Sequence, residues 1–530
     1  MPVGGRTRLT KILQESMAAI REARDRHLPV EEVAAERRER KITRRKFVET
    51  AAMATAGLAV MRPAHSYAST SRIVVIGAGL AGLRFAHAMW TVNGVKTTVY
   101  EANTRLGGRQ WTNRNYFSNG LIAEHGGEFI STEHTSMRRL AAQFGLQLAV
   151  VYGGSEPCCN DVCWLDGSYY TINELNADLK KLEPALKAAN QAAPFPTLFD
   201  KYTQTGYQLD HTSVPDWIDQ NVEGGVSSKL GRILLTNQIA EYGCEPAAQA
   251  ALNLIYLINA LGTSGLSGTD EMYHVLGGND LIARAMAAQL PAGAIQVGMT
   301  LVALKQNSDG SYTCTFKNGA STIDLPADHV VLGLPFNQLK KVDLSAAGFS
   351  SVKLAAINNY ALGTNAKLPA EFNSRPWAKP DHWSGTCYTD PLGFQLSWDA
   401  SVSQKGPSGL LLRYPGGNAG GANAFPGAAD HGPAPTKYVQ DFLSGVEGPF
   451  PGCQAAYNGK AWLDWWDQDP FIGGAYGCYQ VGNYTEFAGI ENVRQGNVHF
   501  CGEQTDLEFQ GFMEGAVRSG ERLAFNWPRL

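Results

Sequence analysis

Apolar residues along this chain fall into distinct textures, and each predicts a different kind of element. Four consecutive β-branched residues, Ile73-Val74-Val75-Ile76, run directly into glycine, the pattern of a short strand buried on both faces in a parallel sheet. Between residues 172 and 260 apolar positions recur every three or four residues, notably over 175–193 and 247–261, so this block is predicted to be helical. Strand-like runs return at 294–304, 312–316 and 329–334, and a zone rich in glycine and proline, 406–435, is expected to be a surface loop. Helical and strand-like blocks that alternate in this way predict an α/β architecture.

The chain before residue 71 has another texture. Residues 1–40 alternate in charge, as in Glu36-Arg37-Arg38-Glu39-Arg40, and predict a solvated helical extension. Thr43-Arg44-Arg45-Lys46-Phe47-Val48 then precedes an apolar stretch over 51–61, followed by Ser66-Tyr67-Ala68 with small residues at cleavage spacing. Residues 41–70 resemble a twin-arginine export signal, which implies a periplasmic or extracellular location. The stretch is shorter than the ~20 residues a spanning helix needs, so no stable membrane span is expected.

Length and charge narrow the classes further. At 530 residues more than one lobe is expected. The balance of 45 Lys+Arg against 49 Asp+Glu gives a net charge of -4 and no electrostatic reason for a nucleic-acid partner. Nine cysteines without a CxxC pair argue against a zinc knuckle or a dense disulfide framework, and no metal site is expected.

Chemistry enters where the first strand ends. Gly77-Ala78-Gly79-Leu80-Ala81-Gly82 leads into a helical pattern, a second strand Thr97-Thr98-Val99-Tyr100 follows, and Glu101 stands at its end. Gly77 permits a tight turn, Gly79 lets backbone approach a pyrophosphate, and Gly82 allows the helix to pack on the strand. The helix N-terminus favours phosphate charge, and Glu101 suits ribose hydroxyls.

Four further segments make the reading more specific: Leu106-Gly107-Gly108-Arg109, Glu124-His125-Gly126-Gly127, His499-Phe500-Cys501-Gly502-Glu503-Gln504-Thr505, and Gly511-Phe512-Met513-Glu514-Gly515-Ala516-Val517-Arg518-Ser519-Gly520. With these the chain resembles the flavin amine oxidase family, the group of monoamine, polyamine and L-amino acid oxidases. The resemblance implies a doubly wound, Rossmann-like FAD-binding domain from residues 71–130, 270–345 and 485–530. A mixed α+β substrate domain would comprise 131–269 and 346–484. It implies FAD contacts at Gly77, Gly79, Ala81, Gly82, Glu101, Ala102, Gly108, Arg109, Gly127, Glu128, Leu301, Trp466, Gly502, Glu503, Gly511, Phe512 and Met513. Arg109 would neutralise the diphosphate, Glu503 would bind ribityl hydroxyls, the strand near Leu301 would contact adenine, and Met513 would open a helix aimed at the flavin ring.

For the reacting centre the resemblance implies Lys367 as the lysine that holds a water near flavin N5, with Trp466, Tyr476 and Phe512 around the substrate. Tyr476 and Phe512 correspond to the aromatic pair that cages the amine. Ala475 occupies the place of the cysteine that joins flavin covalently in monoamine oxidases, so non-covalent FAD is expected, with Cys478 the nearest thiol. Many L-amino acid oxidases carry an arginine two residues past the Gly-Gly-Arg; Trp111 stands there instead. An amine substrate is therefore favoured, with O2 as acceptor, although Arg105, Arg114 or another arginine could supply a carboxylate clamp. L-amino acid oxidation, a carotenoid desaturase or protoporphyrinogen oxidase type of activity, and a non-catalytic FAD-binding role are the alternatives. The state of assembly, a homodimer included, stays open.

Overall fold

The computed structural model describes residues 7–37, 71–151, 160–259, 270–378 and 383–527. The twin-arginine motif, the apolar stretch over 51–61 and the Ser66-Tyr67-Ala68 site lie outside the described residues.

Ile73–Ile76 is the central strand of a five-stranded parallel sheet in the order Val498–Phe500, His329–Leu332, Ile73–Ile76, Thr98–Glu101, Ile295–Val297. Its side chains are buried on both faces, as a continuous β-branched run requires. The helix Leu80–Thr91 connects the first two strands and packs against the C-terminal helix Met513–Asn526. A Cβ on Gly82 would stand 2.0 Å from the Gly77 carbonyl oxygen, and one on Gly520 would stand 2.5 Å from that of Ala81. Glycine at both positions thus lets turn and helices approach closely. Beside this layer lies an antiparallel sheet of Thr300–Gln306, Tyr312–Asn318 and Ser321–Ala327. The last of these strands is mostly exposed, which is why no apolar alternation announces it.

A second, eight-stranded sheet runs His431–Pro433, Tyr457–Asp464, Leu368–Phe372, Gly409–Arg413, Leu396–Asp399, Trp383–Tyr388, Asn160–Leu165, Ser168–Tyr169. It corrects the expected surface loop over 406–435: Gly409–Arg413 is an interior strand, with Leu410, Leu411 and Leu412 fully buried. The apolar run outweighs the glycines around it. The helical block forms as Ile172–Ala192, Gln204–Asp210, Val214–Asn221, Lys229–Tyr242 and Ala251–Asn259.

The N-terminal extension is also corrected. Arg8–Arg26 is a helix capped by the Thr7 hydroxyl, but it is not solvated all round. Leu9, Leu13, Met17, Ile20 and Ala23 form a buried stripe against Ile172–Ala192 and Ala251–Asn259. Each larger apolar side chain so buried contributes about 1.5–3 kcal/mol. Arg8 pairs with Asp161 at 2.7 Å, Arg21 with Glu183 at 3.1 Å, and Gln14 Nε2 donates to the Leu257 carbonyl at 2.7 Å. The charged residues between the stripe positions masked it in the sequence. Among the described residues no helix is long and apolar enough to cross a membrane.

Candidate active site

The carboxyl ends of the parallel strands open onto a cavity of about 410 Å³. Its lining includes Gly77, Gly79, Ala81, Glu101, Ala102, Gly108, Arg109, Gly127, Leu301, Gly502, Glu503, Gly511, Phe512 and Met513. Gly82 stands behind the turn as packing. Gly79 caps the helix Leu80–Thr91, and a Cβ added there would meet no atom within 4 Å, so a side chain would project into open space beside the helix N-terminus. This is the cradle a pyrophosphate needs. The Glu101 carboxylate accepts from the N–H of Ala78 at 2.7 Å and of Asn103 at 2.8 Å. Burial raises its pKa, against the lowering effect of those bonds. Arg109 pairs with Glu503 at 3.1 Å, and the other Glu503 oxygen accepts from the Gly511 N–H at 2.7 Å. Glycine walls, a basic fork and carboxylates at the cavity edge fit an adenine dinucleotide.

A second cavity of about 120 Å³ shares Arg109, Gly127, Tyr476, Gly511, Phe512 and Met513 with the first. Glu128 and Trp466, expected to hold FAD, line this second cavity and not the nucleotide cavity. Glu128 pairs with Lys367 at 2.6 Å, and Trp466 Nε1 donates to the His125 carbonyl at 2.8 Å. Ala475 lies in the same wall. The Tyr414 hydroxyl donates to that of Tyr476 at 2.5 Å, and Trp398 packs on Tyr414 with ring centroids 4.9 Å apart.

Lys367 precedes the strand Leu368–Phe372 and is only 3% exposed. Its ammonium donates to the carbonyls of Glu124 at 2.7 Å and Gly126 at 3.1 Å, and to Glu128 Oε2 at 2.6 Å. Glu128 Oε1 accepts from Trp398 Nε1 at 3.0 Å. An ammonium has three donors, so this arrangement uses all of them on protein oxygens. Holding a water, as expected for Lys367, would require one bond to be exchanged, and Glu128 is the only side chain among its three partners.

Trp111 lies on the His125 ring at 3.7 Å, with the Arg105 guanidinium 4.6 Å from its own ring. Arg105 donates to the Gly108 carbonyl and Arg114 pairs with Asp280; neither lines the second cavity. Two arginines do: Arg109, paired with Glu503, and Arg8, from the N-terminal helix, beside Thr7. Trp398, Tyr414, Phe129, His134 and Glu271 also line it, and none belongs to a motif, so the sequence carried no signal for them.

Behind Trp466, His125 Nδ1 and His431 Nδ1 both meet Asp464 Oδ1, at 2.6 and 2.8 Å, and His431 Nε2 meets Asp469 at 3.2 Å. The ring centroids of His431 and Trp466 are 4.7 Å apart. Burial alone would lower the His431 pKa, but its bonds to Asp464 and Asp469 raise it to about 9. Burial would raise that of Asp464, but His125 and His431 lower it to about 2.

Comparison with known proteins agrees with this geometry. Residues 80–525 match the family described as flavin containing amine oxidoreductase. The nicotine dehydrogenase of Pseudomonas putida is 25% identical, over 91% of this chain and 96% of its own. The L-amino-acid oxidase of Siganus canaliculatus is 25% identical, over 86% and 85%. The solved structure of cyclohexylamine oxidase from Brevibacterium oxydans shares the fold, with a TM-score of 0.72 at 19% identity over 86% of this chain and 98% of that one. The chain therefore belongs to the flavin-containing amine oxidoreductase family and is an FAD-dependent oxidoreductase acting on amines.

Proposed function

We propose that this protein is an oxidase converting a primary or secondary amine to an imine, which water hydrolyses to an aldehyde, with O2 reduced to H2O2. The observation that carries this reading is the position of Tyr476 and Phe512, which line both the nucleotide cavity and the smaller cavity joined to it. Bound FAD supplies the acceptor for the hydride equivalent leaving the amine carbon. Tyr476 and Phe512 cage the amine and align its C–H bond, with Tyr476 held by Tyr414. Trp398, Trp466 and Phe129 keep the cavity walls largely apolar, which favours the unprotonated amine. Lys367 places a fixed positive charge beside the site to assist reoxidation, with its bond to Glu128 the one exchanged for water.

Non-covalent FAD is supported by Ala475 in the cavity wall and by Cys478, which is fully buried and lines neither cavity. An amine is favoured over an α-amino acid because Arg105 and Arg114 are engaged elsewhere, and the two arginines in the cavity wall, Arg8 and Arg109, are paired with Asp161 and Glu503. A substrate carboxylate would have to draw one of these two away. An oxygen-electrode screen of monoamines, diamines, polyamines and L-amino acids should show oxygen uptake with amines. Uptake with amino acids alone would replace this reading by L-amino acid oxidation, and flavin unchanged by every substrate would leave a non-catalytic binder. The motif Thr43-Arg44-Arg45-Lys46-Phe47-Val48 supports export as a folded, FAD-loaded protein.

A further inference from the structure

The helix Arg8–Arg26 lies outside residues 80–525, so it is an addition to the part of the chain that matches the family. Its first turn is nevertheless built into the wall of the second cavity. Thr7 Oγ1 donates to Asn237 Oδ1 at 3.1 Å, Thr10 Oγ1 to Glu241 Oε1 at 2.7 Å, and the Leu9 N–H to the Tyr388 hydroxyl at 2.9 Å, all of them buried. Thr7 and Arg8 line the cavity together with Tyr388. The same helix also borders a larger hollow of about 690 Å³, with Lys11, Ile12 and Glu15 on its side and Val162, Tyr170 and Ile172 across from them. Ile172 is exposed, so the hollow is open to water at that end. Among the described residues Arg8 alone lines both spaces, while Asp161 lines only the larger one. Arg8 Nε donates to Asp161 Oδ2 at 2.7 Å, and Asp161 Oδ1 accepts from Ser384 Oγ at 2.7 Å.

We propose that Arg8, latched on Asp161, is the partition between an entry vestibule and the reaction cavity, so that the N-terminal helix sets the length of amine this protein accepts. The latch is firm because the Asp161 carboxylate that holds the guanidinium is itself held by Ser384, and its side chain is only 2% exposed. Moving Arg8 aside breaks an ion pair largely withdrawn from water, which leaves a buried carboxylate uncompensated. The reaction cavity, at about 120 Å³, holds roughly six heavy atoms by comparison with a cavity that holds benzene. That is the size of pentylamine. A longer amine whose nitrogen lies between Tyr476 and Phe512 has to carry its tail past Arg8. Beyond it, Ile12, Val162 and Tyr170 in the vestibule wall offer apolar surface that would bind each further methylene if the partition were open.

This inference rests on the amine-oxidase reading, and the test separates the two. Flavin reduction is measured with linear alkylamines from butylamine to octylamine, in the flavin-loaded wild type and in the double variant Arg8→Ala with Asp161→Asn, which removes the partition without leaving a buried charge unpaired. In the wild type kcat/KM should fall at least about tenfold from pentylamine to octylamine, because the longer tails must break the latch. In the double variant it should instead keep rising, by about threefold to fourfold per methylene. Arg8→Lys, which keeps the pair, should retain the wild-type profile. Asp161→Asn alone, which loosens Arg8 without removing it, should already flatten the fall and serves if the double variant loses flavin or Tm. A wild-type profile that rises through octylamine, or a fall of equal depth with and without the latch, would overturn the proposal while amine oxidation stands. Flavin that no amine of any length reduces would refute the amine-oxidase reading, and this inference with it.

Discussion

Lys367 is where residue chemistry and packing are tied most tightly, because one ammonium both neutralises buried Glu128 and supplies charge beside the site. Lys367→Met should slow flavin reoxidation by O2 on the order of a hundredfold, with far less effect on reduction by amine. It should also cost about 3 kcal/mol of stability, since Glu128 loses its buried partner. Stopped-flow traces of the two half-reactions and a denaturant curve check both parts; equal slowing of both half-reactions would remove the proposed role. His431 makes a second prediction. Its folded pKa, about 9, lies above the unfolded value of about 6.5. Protonated His431 therefore contributes fully below about pH 6.5, and the contribution, up to about 3 kcal/mol, is lost as pH rises through 9. Unfolding free energy should fall between pH 7 and 10, and His431→Gln should flatten that fall. Residues in glycine-rich or C-terminal motifs were legible in the sequence because backbone approach to a cofactor restricts them. Trp398, Tyr414, Glu271 and Arg8 were not, because tertiary packing alone brings them to the cavity.

At the scale of elements, the sequence revealed those whose packing leaves a periodic or glycine signature. Ile73–Ile76 and Leu80–Thr91 were of this kind. Gly82→Ala should force the helix from the turn, given the 2.0 Å approach, and flavin loss on gel filtration would report it. Elements governed by neighbours were harder to read: Gly409–Arg413 hid among glycines, and the stripe of Arg8–Arg26 hid among charges. Leu13→Ala, at a fully buried position of that helix, should cost about 3 kcal/mol. A change below about 0.5 kcal/mol in a urea titration would mean that the helix is not part of the folded body.

Over the whole molecule, two cavities meet where the parallel sheet and the eight-stranded sheet face a common set of residues, with the N-terminal helix closing part of the smaller one. The nucleotide half of this plan was legible because a dinucleotide imposes a local sequence pattern. The substrate half was legible only in part: the resemblance pointed to Lys367, Trp466, Tyr476 and Phe512, which line its wall, whereas Arg8, Glu271 and Trp398 reach it from distant segments that carry no motif. If residues 41–70 direct export, replacing Arg44 and Arg45 by Lys should keep the protein inside the cell, as fractionation would show. Acid denaturation should release FAD into the supernatant, in keeping with Ala475. The central claim is that an amine in the smaller cavity gives up a hydride equivalent to bound flavin, and anaerobic mixing tests it without reference to the acceptor. Rapid, saturable bleaching of the flavin band by an amine, with aldehyde formed in equal amount, is the expected result; a flavin that stays oxidised with every amine, or that only L-amino acids bleach, would contradict it.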